Sequence, residues 1–216
     1  MTVQTPIPDF RAARAAMVDS QLRPQGVTGQ AVLRAMGSIE RERFLPPETR
    51  PLAYVDRAVG IGEGRFMSPP TMLGQLLTQM MPEPGQRALI VGAGTGYSAA
   101  VLTAAGLAVT ALECSPALAA QARTLGVAVV EGPLAKGWPK GAPYDQILID
   151  GAVGHLPDAL IAQLADGGRL GTALLTDSVA RLIVGRKAAG AFGYLSIGDF
   201  GAPALPGFDR PQSFTF

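Results

Sequence analysis

The run RALIVGAGTGYSAAVL, at residues 87–102, constrains the fold of this chain more than any other stretch. Four apolar residues lead into glycines at alternate positions, Gly92, Gly94 and Gly96, and an alanine-rich run follows. Glycine permits a tight turn between a strand and a helix, and its lack of a Cβ lets a ligand approach main-chain N–H groups. The run therefore predicts a buried strand, a turn that a ligand can approach, and a helix.

The same alternation continues after this turn. Apolar runs predict strands at 87–91, 109–113, 127–131, 146–150 and 169–174, separated by helices at 97–105, 116–125 and 157–164. Nearly continuous apolar strands joined by helices indicate a parallel sheet covered on both faces. Two later β-rich runs, SVARLIVGRK and FGYLSIGDF, have the turn residues AAG between them and predict an antiparallel hairpin. The predicted fold is a doubly wound α/β fold, with a mostly parallel sheet that ends in this antiparallel edge hairpin.

Two amphipathic helices are predicted ahead of the sheet, and Thr28 is the predicted N-cap of the second. The Pro- and Gly-rich stretch at 44–70 shows neither the helix nor the strand period, so it predicts a long, extended connection of turns and short strands. These patterns divide the chain into an N-terminal helical extension with a substrate-side loop at 1–70, a main domain at 71–200 and an extended Pro- and Phe-rich tail at 201–216. The aromatic residues of the tail are expected to pack on this domain or on a neighbour.

Composition narrows the classes of function. The chain is 48% hydrophobic and has a net charge of +1 with scattered basic residues, so neither overall disorder nor a surface for nucleic acid or membrane headgroups is indicated. One cysteine and one histidine exclude a cysteine-based metal cage, and no metal site is predicted. The opening MTVQTPIPDF lacks the pattern of a signal peptide, and no apolar run is long enough to span a membrane. We therefore expect a cytoplasmic protein whose partners are small molecules or proteins.

Glu113 follows the second predicted strand, 21 residues after Gly92. The glycine pattern that binds nucleotide phosphates needs a third glycine at position 97, where this chain has Tyr97. A carboxylate at the end of the second strand can accept hydrogen bonds from both hydroxyls of a ribose. Together these features predict a nucleoside site without a demand for phosphate, as in enzymes that use S-adenosylmethionine. The alternative is structural: the glycines only close a turn, and Glu113 is a solvated strand end.

Several runs, in order from about residue 17 to about residue 175, resemble those of protein-L-isoaspartate O-methyltransferases. They are MVDSQL, VLRAM, AYVDRAVGIGEG, SPP, GAGTGYSAAVL, ALE, GWPKGAPYD and LPDALIAQLADGGRL. The resemblance implies a class I methyltransferase, Rossmann-like fold with the N-terminal helical section over the site. It also implies that a methyl group passes from S-adenosylmethionine to the α-carboxylate of an L-isoaspartyl residue, which begins the repair of a damaged protein substrate.

The resemblance also implies roles for individual residues. Ser68 matches the serine of the family's Thr-Ile-Ser motif, whose hydroxyl lies at the reacting centre, so it is the implied catalytic residue. The alternative is that Ser68 caps the helix that begins at Pro69 or Pro70. Asp150 stands where the family has a threonine after the fourth strand. The implied cofactor-binding residues are Gly92, Ala93, Gly94, Gly96, Glu113 and Asp150.

Other positions depart from the family pattern. The family's GQTIS is GRFMS here, so Arg65 and Phe66 replace polar residues on the substrate side. The family's GDGxxGW is GPLAKGW, so Pro133 replaces an aspartate that holds adenine, and Leu134 replaces a glycine. In the first strand, Ile90 replaces a glutamate. Because proline offers neither a carboxylate nor an N–H, we expect weakened or lost cofactor binding.

Three functions are consistent with these residues. The first is a working methyltransferase of isoaspartyl or other carboxylates, as the resemblance implies. The second is a degenerate, inactive methyltransferase domain that serves as an accessory subunit of a larger complex and binds it through the tail. The third is a regulatory protein that binds S-adenosylmethionine or its demethylated product without turnover. The glycine turn and Glu113 favour the first and third, whereas Phe66 and Pro133 favour the second.

Overall fold

The computed structural model of this chain describes residues 9–176 and 179–208. Ahead of the main sheet come α1 (Phe10–Ala16), which continues into a π-helical turn at Met17–Leu22, then α2 (Gln30–Ser38) and an antiparallel hairpin of β1 (Val59–Gly62) and β2 (Arg65–Met67). The prediction that Thr28 caps the second helix is wrong. Gly29 is the N-cap of α2 and no side chain caps it, because the extended backbone required of an N-cap occurs one residue later.

A seven-stranded sheet forms the centre of the fold. Its strands are β3 (Arg87–Val91), β4 (Ala108–Glu113), β5 (Val129–Glu131), β6 (Tyr144–Val153), β7 (Leu164–Thr176), β8 (Val179–Ala188) and β9 (Ala191–Asp199). They lie in the order β5-β4-β3-β6-β7-β8-β9. The strands β3 to β7 run parallel, whereas β8 is antiparallel to β7 and β9 to β8. The predicted fold class and its antiparallel edge hairpin are confirmed.

Helices cover both faces of this sheet. They are α3 (Pro70–Met80), α4 (Tyr97–Ala104), α5 (Pro116–Thr124) and α6 (Asp158–Ala162). Helix α3 shows how the sequence directs the packing, because its apolar residues recur at helical spacing and none is more than 2% exposed: Met72, Leu73, Leu76, Leu77 and Met80. The strand predicted at 146–150 is longer than expected, since buried Tyr144 and Val153 extend it at both ends.

The order of the strands creates a crevice at one edge of the sheet. The chain adds β4 and β5 on one side of β3 and then returns with β6 on the other side. Ligands of α/β proteins bind where the strand order reverses, at the carboxyl ends of the strands. Gly92 directly follows β3, and Asp150 lies in the last part of β6. The fold therefore brings two predicted site residues to the same crevice.

The segment 203–208 crosses this crevice. The N–H of Ala152 donates to the carbonyl of Pro203 at 2.8 Å, and the N–H of Leu205 donates to the carbonyl of Ala152 at 2.8 Å. Leu205 is 7% exposed and Phe208 only 1%, so this part of the tail packs on its own domain. Residues 209–216 of the predicted tail lie outside the described residues, and the division of the chain into three segments stays a prediction.

Candidate active site

The glycine turn joins β3 to α4. Gly92, Gly94 and Gly96 have φ angles of 78°, 56° and 97°, a region that favours glycine. The N–H group of Gly92 donates to the carbonyl of Leu112 in the neighbouring strand at 2.9 Å. A Cβ at Gly94 would lie 2.6 Å from Cδ1 of Ile61, so a larger residue would meet both strain and collision. Backbone geometry and packing both require glycine at this turn.

Glu113 ends β4 directly beside the turn and is fully buried. Its Oε2 accepts the N–H of Gly94 at 2.7 Å, and its Oε1 accepts the N–H groups of Cys114 at 2.8 Å and Ser115 at 3.0 Å. The alternative that Glu113 is a solvated strand end is therefore wrong. The carboxylate is held by the main chain in one orientation, at the position where the sequence predicts a ribose acceptor.

Arg65 forms a buried ion pair with this carboxylate. Its Nη1 lies 2.7 Å from Oε1 of Glu113, and its Nη2 donates to the carbonyl of Gly92 at 3.1 Å. Burial by itself would raise the pKa of Glu113, but the Arg65 charge and the N–H donors of Ser115 and Gly94 outweigh it and hold that pKa below its usual value. The carboxylate is therefore ionised near neutral pH.

Ser68 and Asp150 meet across the crevice. Oγ of Ser68 donates to Oδ1 of Asp150 at 2.6 Å, although the two residues are 82 positions apart. Ser68 is 4% exposed, whereas Asp150 is half-buried. The N-cap of α3 is Pro69, without any side-chain capping bond, so the alternative role of Ser68 as a helix cap is wrong. The hydroxyl points instead at the carboxylate of Asp150.

Arg41 is a buried residue of this region that sequence reasoning missed. It is fully buried, and its Nε donates to the carbonyl of Ala53 and its Nη2 to the carbonyl of Ser68, both at 2.6 Å. Its guanidinium also lies 4.6 Å from the ring centre of Tyr97, within the range of a cation–π contact. The run IERERF does not separate Arg41 from Arg43, whose side chain is 62% exposed, so no sequence signal could have found it.

The space over the glycine turn is largely filled by side chains of the chain itself. A Cβ on Gly92 would lie 3.0 Å from Leu205 and 3.1 Å from Nη2 of Arg65. The cavity that remains has a volume of about 10 Å³ and is lined by residues that include Phe66, Gly94 and Asp150. This volume holds about one water molecule at most. A ligand of nucleoside size therefore requires side chains to move.

The positions that depart from the family pattern lie beside this site or under it. Leu134 is 3% exposed and belongs to the core, and Pro133 precedes it at the start of a short 3₁₀ turn. Ile90 is fully buried within β3. The carboxylate nearest in sequence to Pro133 is that of Glu131, which pairs with Arg123 at 2.8 Å. The loop after β5 thus has an exposed proline where the family has an aspartate.

The described residues offer neither a metal site nor a membrane-spanning helix. Within 9–176 and 179–208, no group of three or more His, Cys, Asp or Glu side chains is placed to hold a metal ion. Among the helices of the same ranges, none is both long and apolar enough to cross a membrane.

Known proteins resemble this chain over most of its length. The family model for protein-L-isoaspartate(D-aspartate) O-methyltransferase matches residues 13–189. The protein-L-isoaspartate O-methyltransferase of Methylorubrum populi is 44% identical over 165 residues, which cover 74% of this chain and 78% of that protein. The sequence match thus spans both the glycine turn and the N-terminal section.

Solved structures share the fold. One protein-L-isoaspartate O-methyltransferase has a TM-score of 0.78 at 23% identity; the match covers 90% of this chain and 66% of the other. A putative protein-L-isoaspartate O-methyltransferase from Plasmodium falciparum, solved in complex with S-adenosyl-L-homocysteine, has a TM-score of 0.77 at 20% identity and coverage of 89% and 97%. At these identities the two structures establish the fold.

Proposed function

Because this chain belongs to the protein-L-isoaspartate(D-aspartate) O-methyltransferase family, we propose that it methylates the α-carboxylate of L-isoaspartyl residues in proteins, with S-adenosylmethionine as the methyl donor. The observation that carries the proposal is the buried carboxylate of Glu113, held beside a glycine turn by main-chain N–H groups. A fixed, ionised acceptor at the end of the second strand of the sheet suits the hydroxyls of a ribose.

The residues at the crevice fit the cofactor in chemical type. Glu113 offers carboxylate oxygens to the ribose, and Gly92, Gly94 and Gly96, whose positive φ angles favour glycine, leave the main chain of the turn without Cβ atoms. Asp150 lines the same cavity, and an anionic carboxylate suits the positive charges of the methionine part. Ala93, 4% exposed in the same turn, is the remaining proposed cofactor contact. When bound, S-adenosylmethionine supplies a methyl group that its sulfonium already activates.

The acceptor side demands little proton transfer. A substrate carboxylate is ionised and already nucleophilic, so no base has to remove a proton, and positioning and exclusion of water can provide most of the catalysis. We propose that Ser68 binds the carboxylate that accepts the methyl group. Its hydroxyl can rotate, so it can donate its hydrogen bond to a substrate oxygen instead of to Asp150. Arg41 is a positioning residue. It donates to the carbonyl of Ser68, and its positive charge offsets part of the negative charge of Asp150.

Calorimetric titration with S-adenosylmethionine, followed by transfer of labelled methyl to an isoaspartyl peptide, tests the proposal. We expect binding, and ester formation on the isoaspartyl peptide but not on the same peptide with ordinary aspartate. Glu113→Gln should weaken binding strongly. Glu131→Gln is the matched control, because it changes a 39% exposed carboxylate at the end of the adjacent strand. Absence of binding at millimolar ligand would overturn the proposal.

The proposed partner is a protein substrate, and the proposed location is the cytoplasm. Neither the accessory-subunit function nor the sensor function receives support from the crevice or from the relatives, and both stay predictions. A pull-down that compares the full chain with a chain ended after Phe200 tests the tail as a contact with a larger complex. If the shortened chain captures the same proteins, the tail has no such role.

A further inference from the structure

Arg65 occupies one of the two oxygens of Glu113, the carboxylate that we propose as the acceptor of the two ribose hydroxyls. Its Nη1 lies 2.7 Å from Oε1 of Glu113, and the same oxygen accepts the N–H groups of Cys114 and Ser115. Each oxygen of a carboxylate has about two lone-pair sites, so three donors saturate it. A ribose hydroxyl can therefore reach this oxygen only after the guanidinium has left.

A second contact places the Arg65 guanidinium over the first glycine of the turn. Nη2 donates to the carbonyl of Gly92 at 3.1 Å. The ion pair is closed to solvent, with side-chain exposures of 6% for Arg65 and 0% for Glu113. Arg65 thus takes both an oxygen of the acceptor and space beside the turn, since its Nη2 lies 3.1 Å from where a Cβ of Gly92 would be.

The hairpin that carries Arg65 gives its side chain a short route to solvent. Arg65 is the first residue of β2, and its neighbours Gly64 and Phe66 are both exposed. Gly62 and Gly64, at the tip, have positive φ angles of 95° and 66°, and no atom lies within 4 Å of where their Cβ atoms would be. Among the described residues, the tip beside Arg65 is therefore open to solvent, and an outward movement of the guanidinium leads toward this open side.

Resting on the proposed function, we propose that Arg65 sets the cofactor affinity of this chain by competing with the ribose hydroxyls for Glu113. Binding replaces one donor on the carboxylate by another, and it moves the guanidinium away from the carbonyl of Gly92. The cofactor can bind the carboxylate only when the ion pair is broken. A more stable ion pair therefore gives a lower apparent affinity for the cofactor. The competition lies at the ribose, so it acts equally on every ligand that carries the same ribose.

The test compares Arg65→Gln with the wild type by calorimetric titration. Glutamine is the residue of the family motif at this position, and it is uncharged and shorter. Two ligands are used: S-adenosylhomocysteine, and 5′-methylthioadenosine, which keeps the ribose but lacks the amino-acid part. Loss of a hydrogen bond between charged groups predicts tighter binding of both ligands by the same factor, roughly 10- to 100-fold. Arg43→Gln, a change at a 62% exposed side chain, should leave both affinities unchanged.

Unchanged or weaker binding of either ligand to Arg65→Gln overturns the proposal, and weaker binding of S-adenosylhomocysteine alone would place Arg65 on the amino-acid part instead. If the wild type binds and Arg65→Gln binds no more tightly, the competition fails and the proposed function stands. If neither protein binds either ligand, both fail. Circular dichroism verifies folding; should Arg65→Gln not fold, Arg65→Lys is expected to tighten binding of both ligands by a smaller factor, and no tightening overturns the proposal.

Discussion

Two buried arginines lie on either side of the crevice, and they bind different kinds of partner. Arg65 pairs with the carboxylate of Glu113, whereas Arg41 donates to the carbonyls of Ala53 and Ser68 and lies over the ring of Tyr97. A ligand with hydroxyl groups can replace a guanidinium on a carboxylate. No such ligand can replace the bonds by which Arg41 joins two distant main-chain segments. The two charges are therefore buried against different partners: a carboxylate that a ligand can use at Arg65, and main-chain carbonyls at Arg41.

The charge state of Arg41 follows from its surroundings. Burial lowers the pKa of Arg41, while Tyr97 and the negative charge of Asp150 oppose that effect. A guanidinium loses its charge only at extreme pH, so it stays charged. Its hydrogen bonds to two carbonyls offset part of the cost of removing it from water, while its Nη1 is buried without a hydrogen-bond partner among the described residues. We therefore expect removal of Arg41 to lower the free energy of unfolding more than removal of Arg65.

The largest expected effect is that of Arg41→Ala on stability. The substitution leaves the carbonyls of Ala53 and Ser68 without their donor and opens a cavity beside Tyr97, so we expect a loss of about 3–5 kcal/mol in the free energy of unfolding. Urea denaturation measures it. Arg43→Ala is the matched control and should change stability by less than about 0.5 kcal/mol. A small effect of Arg41→Ala would remove the distinction between the arginines.

Arg65→Ala is expected to cost less. Glu113 loses its ion pair but keeps the N–H donors of Gly94, Cys114 and Ser115, so the loss should be roughly 1.5–3 kcal/mol at neutral pH. The same denaturation experiment measures it. A loss larger than that of Arg41→Ala would mean that the Arg65–Glu113 ion pair stabilises the fold more than the hydrogen bonds of Arg41 to the two carbonyls.

The pH dependence of stability isolates the contribution of Glu113. Its pKa is lowered on folding, so its ionised form stabilises the folded chain above the ordinary carboxyl pKa of about 4.3, and this contribution disappears as the pH falls through the lowered folded value. We expect the stability difference between wild type and Glu113→Gln to be constant from pH 7 to about 5 and to shrink below about 4. A difference that grows on acidification would contradict the lowered pKa.

Ser68→Ala should have the smallest effect on stability. It removes one hydrogen bond, to half-buried Asp150, and leaves the carbonyl of Ser68 bound to Arg41, so a change of about 1 kcal/mol or less is expected. The proposed role at the acceptor predicts a lower kcat for ester formation with unchanged affinity for S-adenosylhomocysteine. Equal kcat values in the two proteins would exclude that role and leave Ser68 as a positioning partner of Asp150.

The sequence predicted the half of the site that depends on local pattern. Glycines at alternate positions after an apolar run, and Glu113 at the end of the next strand, are set by the order of strands and helices. Both features lie within a short span of chain, so periodicity and spacing are sufficient to place them together. The Ser68 match came from the family motif, which already encodes a tertiary relationship.

The contacts between distant segments could not be predicted. Arg65 and Glu113 are 48 residues apart, and Ser68 and Asp150 are 82 apart. Their meeting depends on how the hairpin of β1 and β2 packs on the sheet, which no local pattern describes. Arg65 was recognised only as a departure from the family motif, and its partner was not. Charges that alternate in IERERF gave no sign that the first arginine is buried and the second exposed.

The strap formed by residues 203–208 bears on how the protein is made. A nascent chain that has emerged from the ribosome as far as Asp199 already carries every strand of the sheet. It lacks Leu205. In the folded chain the side chain of Leu205 packs so closely on Gly151 that a Cβ there would lie 2.6 Å from it, and the N–H of Leu205 donates to the carbonyl of Ala152. During synthesis there is thus an interval in which the sheet can assemble while its crevice is still uncovered on this side.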